Sequence, residues 1–200
     1  HWRNRMKLLL IRHGKTYFNE LDLTQGWCDS PLSEIGMSQA KALAQKIKDI
    51  AIDEAYSSTS ERAYDTLEIA LNNPFMTIKR DRRLKELNFG YFEGQPNALK
   101  GKMVKEDFRN IETSCDYRKF HGEKLSDVVE RHLDFLQEVV SDEDRTIAIG
   151  GHGLSLTALT HHLCEEQLQK EFPDFRFLGN ACAVYMEYKN HQYSVLNIIE

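Results

Sequence analysis

The sequence predicts an α/β fold, a three-layer α/β/α sandwich with a mostly parallel central sheet and an antiparallel C-terminal strand. Three observations lead there. The apolar run MKLLLI at residues 6–11 is bounded by charge and suits a strand buried on both faces. A second run, TIAIGG at 146–151, passes through glycines straight into a helical pattern. Strand and helix patterns alternate along the chain, which is the mark of a parallel sheet covered by helices on both sides.

Taken in order, the first strand is followed by a helix predicted over 33–50. Ser33 offers an N-cap, and Ala40, Leu43, Ile47 and Ile50 recur at helical spacing opposite Lys41, Lys48 and Asp49. DEAYSS at 53–58 reads as a short strand, and the helix expected over 60–71 carries Ala63, Leu67 and Ala70 on one face. After a stretch of weaker pattern, Val129, Leu133, Leu136 and Val140 mark a long helix. The chain closes with CAVYMEY and QYSVLNII, read as a hairpin turning at Lys189 and Asn190.

With 200 residues, no low-complexity tract and no Pro/Gly-rich linker, residues 6–200 are expected to form one domain. Residues 1–5, HWRNR, precede Met6 and are read as an added remnant. The net charge of −5 argues against nucleic acid or an anionic membrane as a partner. Cys28, Cys115, Cys164 and Cys182 are too scattered for a zinc ribbon or a dithiol site, so reduced thiols in a cytoplasmic protein are expected. The leading apolar run is too short for a signal peptide or a membrane span.

The tempting motifs fail on spacing. GKT at 14–16 lacks the first P-loop glycine, since Leu9 stands there inside the strand. GGHGL misses the last glycine of a dinucleotide fingerprint at Leu156, and GLSLT misses the second glycine of a nucleophile elbow at Thr157. His161, His162 and Cys164 point in different directions on a helix and read as polar filler, so no metal is expected.

What remains is a set of cations at element ends. His13 and His152 each follow a strand directly, Arg12 adjoins the first, and Arg62 lies in the first turn of a helix whose amides favour anions. Together they suggest an anion site. At these residues LLLIRHGKTYFNE resembles the signature of the histidine phosphatase superfamily, the phosphoglycerate mutase-like family. The blocks QGWCDSPLSEIG, SSTSERAYDTLEIA, LKELNFGYFEG and IAIGGHG are similar to that family's later segments and occur in the same order.

The resemblance implies a metal-independent, cofactor-free enzyme acting on a small phosphate ester. His13 is its nucleophile and Arg12, Arg62 and His152 hold the phosphoryl oxygens. Glu86 is the proton donor to the leaving oxygen. Asn19, Thr16, Gln25, Gly26 and Gly153 are assigned by the same resemblance to substrate binding, with Thr16 holding the loop. Gly14 is expected to allow a phosphate close to the backbone. Phosphate release is favoured over mutase transfer, because the 95–121 region has Arg109 and Arg118 only as isolated residues. Lys100, Lys102 and Lys105 read as a solvated helix face, with a grip on an acidic substrate as the alternative. The HGEKLSD stretch departs from the family's Gly-Gly-Glu-Ser pattern, and His121 is expected to cap the following helix or pack on the surface, with contact to substrate as the alternative. Tyr17, Phe18, Trp27, Phe89, Tyr91 and Phe92 are either core or an apolar wall for the leaving group. A phosphoglycerate mutase and a non-catalytic phosphate-binding protein are the alternative readings.

Overall fold

A computed structural model describes residues 5–200. The elements in chain order are β1 (Arg5–Arg12), α1 (Tyr17–Glu20), α2 (Glu34–Ile47), β2 (Glu54–Ser57), α3 (Glu61–Leu71), β3 (Ile78–Arg80), α4 (Asn97–Met103), α5 (Leu125–Val139), β4 (Thr146–Gly151), α6 (Gly153–Glu171), β5 (Ala183–Lys189) and β6 (Gln192–Ile199). Of the leading HWRNR, residues 1–4 lie outside the described region. Arg5 pairs with Lys189 as the first residue of β1.

The strands form one sheet in the order β3-β2-β4-β1-β5-β6. β3, β2, β4 and β1 run parallel; β5 is antiparallel to β1, and β6 to β5. Because successive side chains on a strand point to opposite faces, β1 feeds two cores at once. Leu8 and Leu10 join Ile147, Ile149 and the apolar faces of α5 and α6. Leu9 and Ile11 join Ala148, Ala55 and the faces of α2 and α3. Each fully buried leucine of this kind contributes about 1.5–3 kcal/mol of transfer free energy, so β1 is anchored on both sides of the sheet.

The expected helices are present with shorter ends. α2 stops at Ile47 rather than 50, and its N-cap Ser33 accepts from the Gly36 N–H at 3.2 Å. The hairpin turns one residue later than expected, at Asn190 and His191, which both have positive φ (52° and 61°). Two consecutive positive-φ residues make the mirror-image turn whose twist suits a two-residue hairpin, and Asn tolerates that region well. The weaker stretch holds β3, α4 and three short 3-10 turns, too brief to leave a periodic trace. No helix among the described residues is long and apolar enough to cross a membrane.

Chain direction across the sheet decides where a site can form. From β1 the chain crosses to β2 on one side, and from β4 it passes through α6 to β5 on the other. The carboxyl ends of β1 and β4 therefore lie at a switch in strand order, the position at which open α/β sheets form a crevice.

Candidate active site

β1 and β4 are paired in register up to Arg12 and Gly151, so the next residue of each strand, His13 and His152, emerges side by side. The His13 N–H still donates to the Gly151 carbonyl at 3.1 Å, which fixes the exit of the chain from the sheet. The two imidazoles meet edge to face with centroids 5.4 Å apart. Both are buried.

Hydrogen bonding sets the tautomer of His13. Its Nδ1 lies 2.7 Å from the Gly14 carbonyl, which can only accept, so Nδ1 carries the proton and Nε2 is left with its lone pair. Burial first, and then the charges of Arg62 and Arg12, hold the His13 pKa well below 6.5. The ring is neutral and nucleophilic at pH 7. His152 is depressed in the same direction by burial and by Arg62. Its Nε2 lies 2.8 Å from Ser58 Oγ, which already accepts from the Ser60 N–H at 3.3 Å. With the hydroxyl proton given to Nε2, the imidazole's own proton sits on Nδ1, a buried atom without a partner.

The arginines are held from behind. Arg62 is fully buried and donates to the Cys28 and Gly26 carbonyls and to Asp29 Oδ1 at 2.7–2.8 Å. Arg12 donates through one terminal nitrogen to the Leu178 carbonyl at 2.8 Å and stacks over Phe177 at 5.4 Å. Burial lowers its pKa to about 10. The Nε atoms of both arginines are buried and unpartnered, as is His152 Nδ1. Three orphaned polar nitrogens on residues grouped around His13 are what an anion site needs.

Glu86 reaches the same place from the loop after β3. Its carboxylate caps α6: Oε1 accepts from the Leu87 and Ser155 N–H groups and Oε2 from Leu154, each at 2.9 Å. Burial outweighs those three amides and the charge of Arg62, so its pKa is raised above 4.5. Oε2 accepts one bond only and keeps a lone pair for a proton.

Arg12, His13, Asn19, Gln25, Glu86 and Gly153 line one cleft of about 380 Å³. A Cβ on Gly153 would lie 2.8 Å from Arg12 Nε, so glycine is required beside that guanidinium. Arg62 and His152 are fully buried beside His13 and are not among the residues that line the cleft. Thr16 and Gly26 do not line it either. Thr16 is buried and forms a capping box with Asn19 over α1, and Gln25 Nε2 donates to its Oγ1 at 3.0 Å. Gly26 packs tightly: its carbonyl accepts from Arg62, its N–H donates to Glu93 Oε2, and a Cβ would lie 2.1 Å from the Leu87 carbonyl. Gly14 differs from expectation in its reason. A Cβ there would strike the Gly36 carbonyl at 2.5 Å, so the glycine admits helix α2.

Several residues that shape the site left little trace in the sequence. Asp29 and Ser58 fix Arg62 and His152. Asn180 donates to the His13 carbonyl at 3.2 Å. Arg131 on α5 donates to the carbonyls of Arg83, Lys85 and Glu86 and pairs with Glu123, whose Oε1 also takes the Asn88 N–H. It thus clamps the loop that carries Glu86, helped by Trp27 Nε1 on the Glu86 carbonyl at 3.0 Å. Glu123 is the carboxylate of HGEKLSD, so that block has a positioning role. His121 has φ +63°, ends the 3-10 turn before it and packs on Tyr91 at 4.6 Å, whereas the N-cap of α5 is Lys124. His161 pairs with Glu165 at 2.6 Å, and no group of three or more His, Cys, Asp or Glu among the described residues is arranged for a metal.

The profile of the Histidine phosphatase superfamily (branch 1) matches residues 8–199. The chain belongs to that superfamily. It is 32% identical over 196 residues to Phosphoserine phosphatase 1 of Hydrogenobacter thermophilus, covering 96% of this chain and 92% of that protein. It is 30% identical over 173 residues to 2,3-bisphosphoglycerate-dependent phosphoglycerate mutase 2 of Gloeobacter violaceus, covering 82% and 79%. The crystal structure of phosphoglycerate mutase from Bacillus anthracis matches with a TM-score of 0.80 at 28% identity, covering 96% of this chain and 92% of that one. Histidine phosphatase superfamily relatives with phosphatase names and with mutase names thus lie at similar distance.

The buried histidines make stability depend on pH. His13 and His152 are held well below 6.5, and burial lowers His132 to about 3. Below pH 6.5 the unfolded chain binds up to three protons that the folded chain refuses. The stability they confer is complete above that pH and is lost as pH falls, by about 1.4 kcal/mol per pH unit per histidine at most. Glu86 acts oppositely, because its raised pKa lets the folded state hold a proton above pH 4.5. The net expectation is a melting temperature that is nearly level above pH 6.5 and falls with increasing steepness from there to pH 5.5. A flat profile from calorimetry over that range would contradict this account.

Proposed function

We propose that the protein is a metal-independent phosphomonoesterase that hydrolyses small phosphorylated metabolites through a phosphohistidine on His13. The observation that carries this reading is the trio of orphaned nitrogens, Arg12 Nε, Arg62 Nε and His152 Nδ1, grouped around a neutral imidazole.

A phosphoryl group in transfer spreads charge over three equatorial oxygens, and two guanidiniums with one imidazole N–H are suited to hold it. His13 Nε2 attacks phosphorus, and the bond to the ester oxygen breaks as Glu86 gives that oxygen its proton. Glu86, now a carboxylate, takes a proton from water, whose oxygen attacks the phosphohistidine. Orthophosphate leaves and Glu86 is protonated again. The four free thiols fit a reducing, cytoplasmic setting.

Hydrolysis is favoured over mutase transfer because neither arginine of the 95–121 region reaches the cleft. Arg118 is exposed and paired with Asp116, and Arg109 lies beside His161 and Glu165 in a separate depression. A substrate carboxylate therefore has no arginine to hold it in two orientations. The non-catalytic reading is disfavoured by the co-occurrence of a poised nucleophile and a proton-holding carboxyl.

Arg62→Ala is expected to lower kcat/KM by about 10²–10³, as for one donor to a transition-state oxygen; a change under about threefold would remove Arg62 from this role. The test of the reading itself is a phosphorus NMR time course in EDTA with a panel of phosphomonoesters. The panel includes 3-phosphoglycerate primed with 2,3-bisphosphoglycerate. Orthophosphate released by wild type supports it. A 2-phosphoglycerate signal without orthophosphate overturns it in favour of a mutase.

A further inference from the structure

Beside its charged groups the cleft carries an apolar lining. Phe89, Phe108 and Phe177 line it together with Leu23 and Leu154. Phe108 and Phe177 meet edge to face at 5.6 Å, and Phe177 in turn lies under the Arg12 guanidinium. Phe177 and Phe108 thus make a paired aromatic edge that starts beside Arg12, and Phe89 lines the same cleft. Phe177 keeps 42% of its surface exposed although it borders a concave site, which leaves apolar area for a ligand to cover.

Of the other polar residues that line the cleft, Lys100, Glu106 and Asn97 already have partners. Lys100, which lines the cleft along with Arg12, is paired with Glu106, and its Nζ lies 5.3 Å from the Phe89 ring. Glu106 also accepts from Tyr117 Oη at 2.6 Å. Asn97 accepts from Thr24 Oγ1 at 3.1 Å and donates to Asp22 at 2.9 Å. A charged leaving group entering here would lose water and gain no free counter-charge, which is costly. An uncharged ring would lose nothing and cover the aromatic wall.

We infer that the cleft selects phosphomonoesters whose alcohol is uncharged and aromatic or otherwise apolar, with Phe108 and Phe177 as the residues that set the preference. This rests on the phosphatase reading above. The Lys100–Glu106 pair is the feature that rejects carboxylated esters: it occupies the cation such a substrate would need.

Non-hydrolysable phosphonates separate binding from leaving-group reactivity. Calorimetric titration would compare benzylphosphonate with 3-phosphonopropionate, using orthophosphate as competitor for both. The expected result is a preference of about tenfold or more for benzylphosphonate in wild type. That preference falls about fivefold in Phe108→Ala and in Phe177→Leu, which are checked for folding by circular dichroism. Glu106→Gln, which frees Lys100, is expected to improve 3-phosphonopropionate binding about fivefold. If orthophosphate competes but the carboxylated analogue binds as well as the aromatic one, the inference is overturned and the phosphatase reading stands. The same holds if the preference survives both phenylalanine substitutions. If orthophosphate binds nowhere near these ligands and no ester is hydrolysed, the phosphatase reading falls and takes this inference with it.

Discussion

His13→Ala loses turnover by at least about 10⁴-fold on every phosphate ester the wild type hydrolyses, while the fold survives. The size of the effect follows from the absence of a substitute. His152 is the nearest imidazole, but Ser58 occupies its Nε2 and the ring is not among the residues that line the cleft. The four cysteine thiols are no replacement, since burial raises the cleft-lining Cys115 to about 11 and keeps it protonated. The variant retains the arginines, and orthophosphate should still bind to it.

Folding is little threatened, because the side chain makes one hydrogen bond, to the carbonyl of the next residue, and borders a cleft that can admit water. A loss of about 1–3 kcal/mol is the ordinary range for such a change. Two measurements decide the matter. Rapid-quench experiments should find an alkali-stable, acid-labile phosphoenzyme in wild type and none in His13→Ala. Steady-state rates within tenfold of wild type would place the nucleophile elsewhere.

What the sequence made legible was whatever a strand can announce locally. Leu8 to Ile11 foretold a doubly buried strand and hence a rigid exit for Arg12 and His13, and TIAIGG did the same for His152. That these exits are adjacent is a matter of sheet order, which no local pattern encodes; it emerges from the register of Arg12 with Gly151. The same limit explains the residues that were missed. Arg131 sits on α5 in an ordinary amphipathic pattern, yet its guanidinium serves three carbonyls some 45–48 positions earlier in the chain. Phe108 and Phe177 flank the cleft from segments without periodicity, while Tyr91 and Trp27, the more conspicuous aromatics, face outward or prop a loop. Gly26 shows the converse limit. A glycine in a family-like block suggests ligand contact, but here it is needed for packing against Leu87.

Glu86→Gln should lower kcat/KM by about 10²–10⁴ on alkyl phosphates and by far less on p-nitrophenyl phosphate. The difference is the diagnostic. An alkoxide is a poor leaving group and must be protonated as the P–O bond breaks, whereas nitrophenolate departs unaided. Glutamine keeps the size and can still accept backbone N–H groups at its carbonyl oxygen, so the cap on α6 is partly retained. It cannot supply a proton. Hydrolysis of the phosphohistidine needs Glu86 as base, so in the variant p-nitrophenol should appear in a burst equal to the enzyme concentration, followed by slow turnover. The pH dependence gives a second handle. Burial holds Glu86 above its ordinary value, so it is protonated over a wider range than a surface glutamate, and the rate on alkyl esters should fall as pH rises through that raised pKa. In Glu86→Gln this alkaline limb should vanish from the residual rate. Equal losses on both classes of ester, with the limb intact, would assign the proton to another group and leave Glu86 as a helix cap alone.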